Sequence, residues 1–406
     1  MPYQSADNLL VALRRETAIN VQATATGATQ VRVLDSPGLE LKRAPIQSQE
    51  IRSDLLMSMP RTGYESVDGS YNTEMSIGGH LDLLIESVMR SAWATATSFS
   101  FASVTTVAIG TSTLTPGGSS SFITAGVRVG DIFYLSSTTV SADNSINVPV
   151  LAIASLSGGA ITVPAGTFTT LAATATGTLT ILKKIKTPTT ITNYSYSIEQ
   201  NNADMDLSEL FTGCRVVGAK FSFKPGQPAT VAFTFMGVDR VALATGTSPY
   251  FTSPTLTTGL TLIAEDSSIR KNGASAATFT GFDLDFTIKA AGQPVLGSVN
   301  TPEIFTNSLN VSGSVSGLRS DFSNLTLFDG ETEFEIMIKL EEPNTGPPKS
   351  CFNIFLPRVK IGGIGAPLGG GDGGQIETLT LWVGPKTAAA ATGVDGTIAT
   401  FSSSAA

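Results

Sequence analysis

Several segments of this chain alternate strictly between apolar and polar residues. In GFDLDFTIKA (281–290) and EFEIMIKL (333–340), every second side chain is apolar. The segment AKFSFKPGQPATVAFTFMG (219–237) contains two such runs around a turn with two prolines and a glycine. A period of two places alternate side chains on opposite faces of a strand, and Pro and Gly favour turns. The pattern predicts antiparallel strands with one packed and one solvated face.

One segment shows helical spacing instead. In residues 79–94, apolar side chains recur at intervals of three and four, including Leu81, Leu84, Ile85 and Val88. This spacing predicts an amphipathic helix that packs on the sheet.

Two further segments differ from the rest in composition. Residues 101–187 are rich in Thr, Ser, Gly and Ala, nearly free of charge, and contain short apolar runs between turn signals. We interpret them as a small inserted β-domain. Residues 387–406 consist mostly of Ala, Ser, Thr and Gly, and this composition predicts a flexible C-terminal tail.

The two halves of the chain resemble each other. Each half contains a strand, a connection, a cysteine (Cys214 or Cys351), a second strand, a turn and a third strand. Residues 61–79 also match residues 306–323 loosely. We infer a duplicated module. The first copy spans residues 1–100 and 188–245, interrupted by the insertion, and the second spans 246–386. The predicted fold is mainly β: two sandwich or barrel modules with one packed helix, plus the inserted β-domain.

Composition and charge exclude several classes of protein. The 406 residues carry a formal net charge of -8, whereas a protein that grips DNA phosphates is expected to be basic. Two cysteines lack metal-ligand spacing, and a disulfide between them stays open. The N-terminal segment has no signal-peptide pattern, and no apolar run is long enough to span a membrane.

Candidate catalytic chemistry is sparse. The single histidine, His80, lies at the predicted helix start and suits capping or packing better than catalysis. Carboxylate pairs such as Asp283 with Asp285 suit a calcium site or a glycosidase, but a solvated sheet face explains them better. We therefore predict no catalytic residues, no metal and no cofactor.

The stretch GGIGAPLGGGDGG (362–374) is rich enough in glycine to suggest a phosphate-binding loop. No GK[ST] follows it, and the next segment, QIETLTLWV, is a predicted strand, whereas phosphate binding needs a helix N-terminus. We interpret the stretch as a long turn of the last hairpin, the counterpart of KPGQPAT (224–230), that contacts a neighbouring subunit.

Four segments, taken in order, resemble a known family. They are residues 48–93, 211–239, 281–316 and 352–361. Over most of residues 30–385, the chain resembles the major tail tube protein of bacteriophages with long, non-contractile tails. The resemblance implies a structural virion protein, made in the bacterial host cytoplasm, whose rings stack into a hollow tube that conducts DNA. It implies self-association and contact with the tape measure, tail terminator and distal tail proteins.

The resemblance also implies roles for individual residues. Inner strands of neighbouring modules would join into a barrel, and an acidic lumen would let DNA slide. Our candidate lumen residues are Asp283, Asp285, Glu333, Glu335 and Glu377. A long loop before the helix would reach the next ring, and the candidate contacts in it are Arg52, Asp54, Arg61 and Glu65. Because rings of six modules are usual in the family, a two-module chain predicts a trimeric, pseudo-six-fold ring.

Two alternatives stay open at this stage. Another β-rich virion protein, such as an adhesin or a baseplate component, would share this composition. A carbohydrate-active β-sandwich enzyme would need an aromatic-lined cleft, and aromatic residues make up only 7% of the chain.

Overall fold

Most of the chain belongs to one extended, mainly β assembly. The computed structural model describes residues 8–117, 121–154, 159–276, 278–343, 346–365 and 373–405. Within them, seventeen strands connect into a large sheet, and smaller sheets of five and four strands lie apart from it. No sheet closes into a barrel within the described part of a single chain.

The first part of the chain contains four strands and a helix. They are β1 (Leu9–Arg15), β2 (Thr29–Val31), β3 (Gly38–Ile46), β4 (Arg61–Glu74) and α1 (His80–Met89). The helix is shorter than the predicted 79–94 because Arg90 adopts a left-handed conformation with φ 53° and ends it. Its apolar face is buried against the large sheet, as the spacing predicted.

A segment of short strands follows the helix. They are β5 (Thr97–Ser100), β6 (Val107–Ile109), β7 (Thr113–Pro116), β8 (Ile132–Ser136), β9 (Val148–Pro149), β10 (Ala152–Ile153), β11 (Ile161–Thr162), β12 (Leu171–Thr174) and β13 (Thr178–Ile181). These strands form the two smaller sheets. They enclose a hydrophobic cluster of their own, which includes Phe101, Phe122 and Phe133.

The chain then returns to the large sheet. The strands here are β14 (Lys183–Lys186), β15 (Tyr196–Asn202), β16 (Leu207–Phe223), β17 (Thr230–Gly237) and β18 (Asp239–Leu243). β16 and β17 pair antiparallel, so the predicted hairpin around KPGQPAT is confirmed.

The remaining elements complete the large sheet. They are β19 (Ser267–Lys271), β20 (Ala274–Ser275), β21 (Phe279–Gly292), β22 (Ile304–Leu318), α2 (Ser323–Asp329), β23 (Phe334–Glu341), β24 (Cys351–Gly365), β25 (Ile376–Val383) and β26 (Thr400–Ser403). Single 3-10 turns occupy Phe101–Val104, Ser141–Asp143, Ala264–Asp266 and Ala390–Thr392.

The two halves repeat one topology. The order β1, β3, β4, α1, β15, β16, β17 in the first half matches β19, β21, β22, α2, β23, β24, β25 in the second. The pairings match as well: β17 lies between β16 and β4, and β25 lies between β24 and β22. The two halves therefore share one strand order and one set of pairings, and the module bounds given above stay a prediction.

Register irregularities recur at equivalent places in the two halves, which fixes the correspondence residue by residue. In the first half they fall between Arg43 and Pro45, Tyr196 and Ile198, and Val216 and Gly218; in the second, between Ile288 and Ala290, Phe334 and Ile336, and Ile361 and Gly363. A bulge shifts every following residue of a strand relative to its partner. Three coincidences of this kind align the modules without ambiguity.

The cysteines do not correspond. Cys214 lies opposite Tyr196 beside the β15–β16 bulge, and the matching position beside the β23–β24 bulge is Val359, opposite Phe334. Cys351 lies at the far end of β24. Both cysteines are free and buried. The proposed match between them was wrong because the shared strand–turn–strand order does not fix the register.

The C-terminal segment is not wholly a flexible tail. β26 pairs with β14 on one side and β24 on the other. Phe401 is buried, with its ring centroid 5.5 Å from that of Phe286 and 5.9 Å from that of Phe352. The prediction of flexibility was wrong for residues 400–403 because a low-charge, low-complexity composition also suits a buried strand.

The short-stranded segment packs against the second half of the chain. Ile132 and Leu182 share a cluster with Met337 and Phe355. Gly130 lies so close to the Phe355 ring that any side chain there would overlap it. The segment inserted into the first module therefore packs directly against the second module.

Candidate assembly surfaces

Eight strands form a continuous run across both modules. Their spatial order is β3, β4, β17, β16, β21, β22, β25, β24. One face of this run carries the core, in which Phe221, Phe233, Phe286 and Leu381 are buried. The opposite face carries polar side chains, and no layer formed by the described residues covers it. The run ends at β3 on one side and β24 on the other.

Hydroxyl groups dominate the polar face. They belong to Ser66, Ser70, Ser222, Thr234, Thr287, Ser312, Ser314, Ser316, Thr378 and Thr380, which occupy laterally opposite positions along the run. Some acidic residues on it are balanced by basic ones: Lys220 lies opposite Asp285, and Lys42 contacts Glu40 at 2.9 Å. Asp68 and Asp283 are further acidic residues on this face, which is therefore polar and weakly acidic.

Asp283 and Asp285 are the two sequence candidates that lie on this face. Asp283 accepts a hydrogen bond of 2.6 Å from the Ser222 hydroxyl, and Asp285 accepts one of 3.2 Å from Thr287. Both carboxylates are partly exposed near the middle of the run. The structure brings this pair together, as the i, i+2 spacing predicted.

Glu333 and Glu335 lie elsewhere. They flank the start of β23, which pairs with the part of β24 outside the eight-strand run. The Arg358 guanidinium, 2.6 Å away, lowers the pKa of Glu333, whereas burial raises the pKa of Glu335. These residues do not share a surface with Asp283 and Asp285.

Glu377 occupies the core side of β25. It is only 6% exposed, shares its face with Leu379 and Leu381, and accepts a hydrogen bond from Asn324 of α2. A carboxylate held under a helix cannot line a channel bounded by the opposite face. Glu377 is therefore removed from the set of lumen candidates.

The loop between β3 and β4, residues 47–60, presents apolar side chains to solvent. Ile51, Leu55 and Met59 are each more than nine-tenths exposed, and Leu56 and Met57 are also exposed. We call this segment the first tip. A concentration of exposed apolar side chains marks a contact surface. Charge-based reasoning missed these residues, although the run DLLMSM carries the signal.

Three of the four charged candidates near the first tip form ion pairs within the chain. Arg52 contacts Asp54 at 2.7 Å, and Glu65 contacts Arg43 at 2.6 Å. Arg61 is exposed at the start of β4, and no ion pair to it occurs among the described residues. The structure thus places Arg52, Asp54 and Arg61 at or beside the tip and Glu65 further along β4.

The equivalent loop of the second module, residues 293–303, forms a second tip. Val295, Leu296 and Val299 are exposed there, and Leu296 is completely so. The Glu65 amide donates to the Val299 carbonyl at 2.9 Å, which holds this loop beside β4. The duplicated chain therefore projects two apolar tips.

Side chains associated with chemistry are buried and isolated. His80 is fully buried, and its pKa is lowered to about 4 by burial and by nearby Arg32. Burial raises the pKa of Cys351 to about 12 and raises that of Cys214 as well. The described residues contain no group of three or more potential metal ligands. None of the helices in the described ranges is long and apolar enough to cross a membrane.

The glycine-rich turn connects β24 to β25, which pair antiparallel. Its position matches the β16–β17 turn of the first module, so its interpretation as the last hairpin's turn is confirmed. Residues 366–372 of the stretch lie outside the described residues. The contact role assigned to it stays a prediction.

Comparison with known proteins points to a single family. A family model described as phage tail tube protein matches residues 7–381, nearly the whole chain. A search of curated proteins found no match. The matched range includes nearly all of both modules and the whole of residues 101–187.

Proposed function

The chain belongs to the phage tail tube protein family, and we propose that it forms rings that stack into the hollow tail tube of a phage with a long, non-contractile tail. The tube would conduct genomic DNA into the host during infection. The observation that carries this proposal is the eight-strand run, because it has one packed face, one polar face and an open strand at each end. A closed ring would remove both edges.

We propose that three chains form each ring. Two equivalent modules per chain give six modules in a trimer, in agreement with six-module rings elsewhere in the family. With strands about 4.8 Å apart and tilted by about 40°, eight strands from each of three chains would close a barrel roughly 48 Å across. Such a barrel leaves room for a DNA duplex and water.

The polar face would line the channel. Hydroxyl groups and paired charges give phosphates no uncompensated cationic surface, so release of counterions would not hold the DNA. Asp283, Asp285 and Asp68 would repel the backbone, and the overall charge of -8 acts in the same direction. DNA would then slide without specific binding.

The tips would join successive rings. The first tip exposes five large apolar side chains, too many for a surface that stays in water. A ring-to-ring contact joins different surfaces and does not close on itself, so it extends into a filament. The tape measure, tail terminator and distal tail proteins would contact the tube's interior and its two ends, after synthesis in the host cytoplasm.

Electron cryo-microscopy of the tube, isolated from virions or polymerised from pure protein, tests the proposal. We expect stacked rings of three chains with a central channel lined by Asp283 and Asp285. Rings of six chains would overturn the trimer, and the absence of a channel would overturn the function.

A variant separates stacking from ring formation. Replacing Ile51, Leu55, Met57 and Met59 by serine should leave the chain folded and able to form rings but unable to form tubes. The matched control replaces exposed apolar residues away from the tips, Ile191, Leu256 and Leu260, by serine and should still form tubes. Normal tubes from the tip variant would contradict the role of the first tip.

A further inference from the structure

The chain contains one completed junction between modules. β16 of the first module pairs antiparallel with β21 of the second, with Gly218 opposite Thr287 and Lys220 opposite Asp285. This pairing joins the two four-stranded halves of the eight-strand run. It shows how β16 of one module pairs with β21 of the module that follows.

The counterparts of these two strands are the open ends of the run. β24 corresponds to β16, and β3 corresponds to β21. Within the described residues, β3 pairs only with β4, and Gly363–Gly365 pair only with β25. Each end therefore lacks the neighbour that its counterpart has inside the chain.

We infer that β24 of one protomer pairs antiparallel with β3 of the next, in the register of the internal β16–β21 junction, and that three such pairings close the ring. The inference rests on the proposed function and adds the edges and the register. The bulges that align the two modules also give the counterparts of the paired residues. The pair Gly218–Thr287 corresponds to Gly363–Lys42, and the pair Lys220–Asp285 corresponds to Gly365–Glu40. Ile364 then lies opposite Leu41.

Burial at the open ends agrees with this pairing. In the internal junction, Ala219 and Phe286 lie opposite each other and are fully buried. Their counterparts Ile364 and Leu41 are apolar and contact the core but stay only partly buried. Joining the ends would cover both side chains and complete the apolar layer across the boundary.

The inferred pairing would also cover Trp382, an exposed side chain beside the β24 edge. Met236 lines a groove of the internal junction together with Ile288 and Ala290. The counterpart of Met236 is Trp382, which is 62% exposed. The neighbour's Arg43 and Pro45, the counterparts of Ile288 and Ala290, would cover this indole ring, and a guanidinium over an indole face is favourable.

A basic side chain crosses the internal junction. Arg215 donates to the Ile304 carbonyl and pairs with Glu303, so it ties β16 to the start of β22. Its counterpart is Lys360, which lies near Glu331 at 3.5 Å in the single chain. The neighbour's Pro60 carbonyl occupies the position equivalent to Ile304 and would accept from Lys360.

The exposed part of the β3 edge is short and protected. Charged residues and Pro45 mark it, as is common for edges that must not pair at random. The Gln200 side chain donates a hydrogen bond of 3.0 Å to the Leu39 carbonyl, next to the inferred Gly365–Glu40 pair.

Cysteine cross-linking tests the register. Four positions on the polar face, Glu40, Lys42, Gly363 and Gly365, give two in-register pairs and two mismatched pairs. A cysteine Cβ at either glycine meets only ordinary contacts. Opposite Cα atoms lie within disulfide range, whereas diagonal ones do not. Because Cys214 and Cys351 are buried, they do not compete.

Assembled protein carrying each pair is oxidised and separated under denaturing, non-reducing conditions. We expect Glu40→Cys with Gly365→Cys, and Lys42→Cys with Gly363→Cys, to yield covalent dimers and trimers and nothing larger. The controls, Glu40→Cys with Gly363→Cys and Lys42→Cys with Gly365→Cys, should yield at least tenfold less. Equal or preferential linkage in the mismatched pairs, or linkage beyond trimers, would overturn the inference.

Tryptophan fluorescence gives an independent measurement. The chain has two tryptophans, Trp93 and Trp382, so Trp93→Phe leaves Trp382 as the sole reporter. We expect its emission to shift to shorter wavelength on ring formation, with a smaller shift in the Trp382→Phe control. Intact rings in which Trp382 stays exposed and no in-register pair links would overturn the inference but leave the proposed function standing. Absence of rings in the images would overturn the proposed function itself.

Discussion

The two modules share a topology but differ in how completely they are covered. The first has β21 against its long strand β16, whereas the second offers the corresponding edge of β24 to solvent. Phe286 is fully buried inside the chain, and its counterpart Leu41 is only partly so. The chain thus contains one module junction that is formed, β16 with β21, and the two open edges, β24 and β3, of an equivalent junction. The formed junction indicates which strand each open edge requires.

The helices show the same contrast. α1 has eight buried residues, and Asp82 pairs at 2.8 Å with Lys183, the first residue of β14. α2 has none, and Phe322, Leu325 and Phe328 are exposed around it. The segment inserted after α1 brings β14 over the first helix, and no corresponding segment covers α2 in the part of the chain that the structure describes. Stability should therefore concentrate in the first module.

The largest effect is expected from a matched pair at the two junctions. Phe286→Ala removes a ring packed against Phe221 and Phe401 at 5.8 and 5.5 Å and should lower the free energy of unfolding by about 3–5 kcal/mol. Leu41→Ala should cost the unassembled chain less than about 1.5 kcal/mol, because that side chain is already partly hydrated. Urea unfolding of unassembled protein measures both.

Leu41→Ala should affect ring formation more than it affects the stability of the unassembled chain. Leu41→Ala should weaken ring formation at concentrations where it is fully folded, since the neighbouring copy would cover this side chain. Light scattering against protein concentration measures this. If Leu41→Ala assembles like the unmodified chain, the two junctions are not equivalent.

A smaller effect, dependent on pH, is expected at the start of the first helix. The pKa of His80 is lowered from 6.5 to about 4, mainly by burial. Between these values the unfolded chain binds a proton that the folded chain does not, so stability should be complete above pH 6.5 and decrease as the pH falls toward 4. The loss contributed by His80 is about 3 kcal/mol at most.

The variant His80→Gln isolates this contribution. Other buried groups also titrate in acid, so the unfolding free energies of the two proteins should be compared between pH 7 and pH 4. The decrease in the unmodified chain should exceed that in the variant. Parallel curves would show that His80 does not titrate on unfolding.

Much of the sheet could be predicted from alternation, because a half-buried strand requires that pattern. The polar face with Asp283 and Asp285 follows from the same period. Glu377 has the same pattern but faces α2, since alternation gives two faces without saying which one is covered. The burial of Phe401 and the mismatch of Cys214 with Cys351 depend on register and long-range pairing, which local sequence does not encode.

The apolar first tip is a different case. Its sequence contains the signal, but the resemblance to a known family directed attention to charged residues there. Arg52 and Asp54 satisfy each other within the loop, whereas Ile51 and Leu55 have no apolar cover. Exposed fraction, which only the structure gives, separates the two sets.

The smallest effect on stability is expected at the turn that differs most between the modules. Six residues separate β16 from β17, and ten separate β24 from β25. Replacing residues 366–375 by KPGQPA should change the free energy of unfolding by only about 0.5 kcal/mol, because loop-closure entropy depends weakly on length. Urea unfolding measures this change. The control for length is a Gly-Ser turn with the same number of residues as the native turn.

The same variants test the contact role of the turn. Because Gly365 lies in the inferred junction, we expect the short turn, but not the Gly-Ser turn of native length, to slow tube growth in light scattering. Equal growth rates would assign the glycine-rich stretch no role beyond connecting two strands.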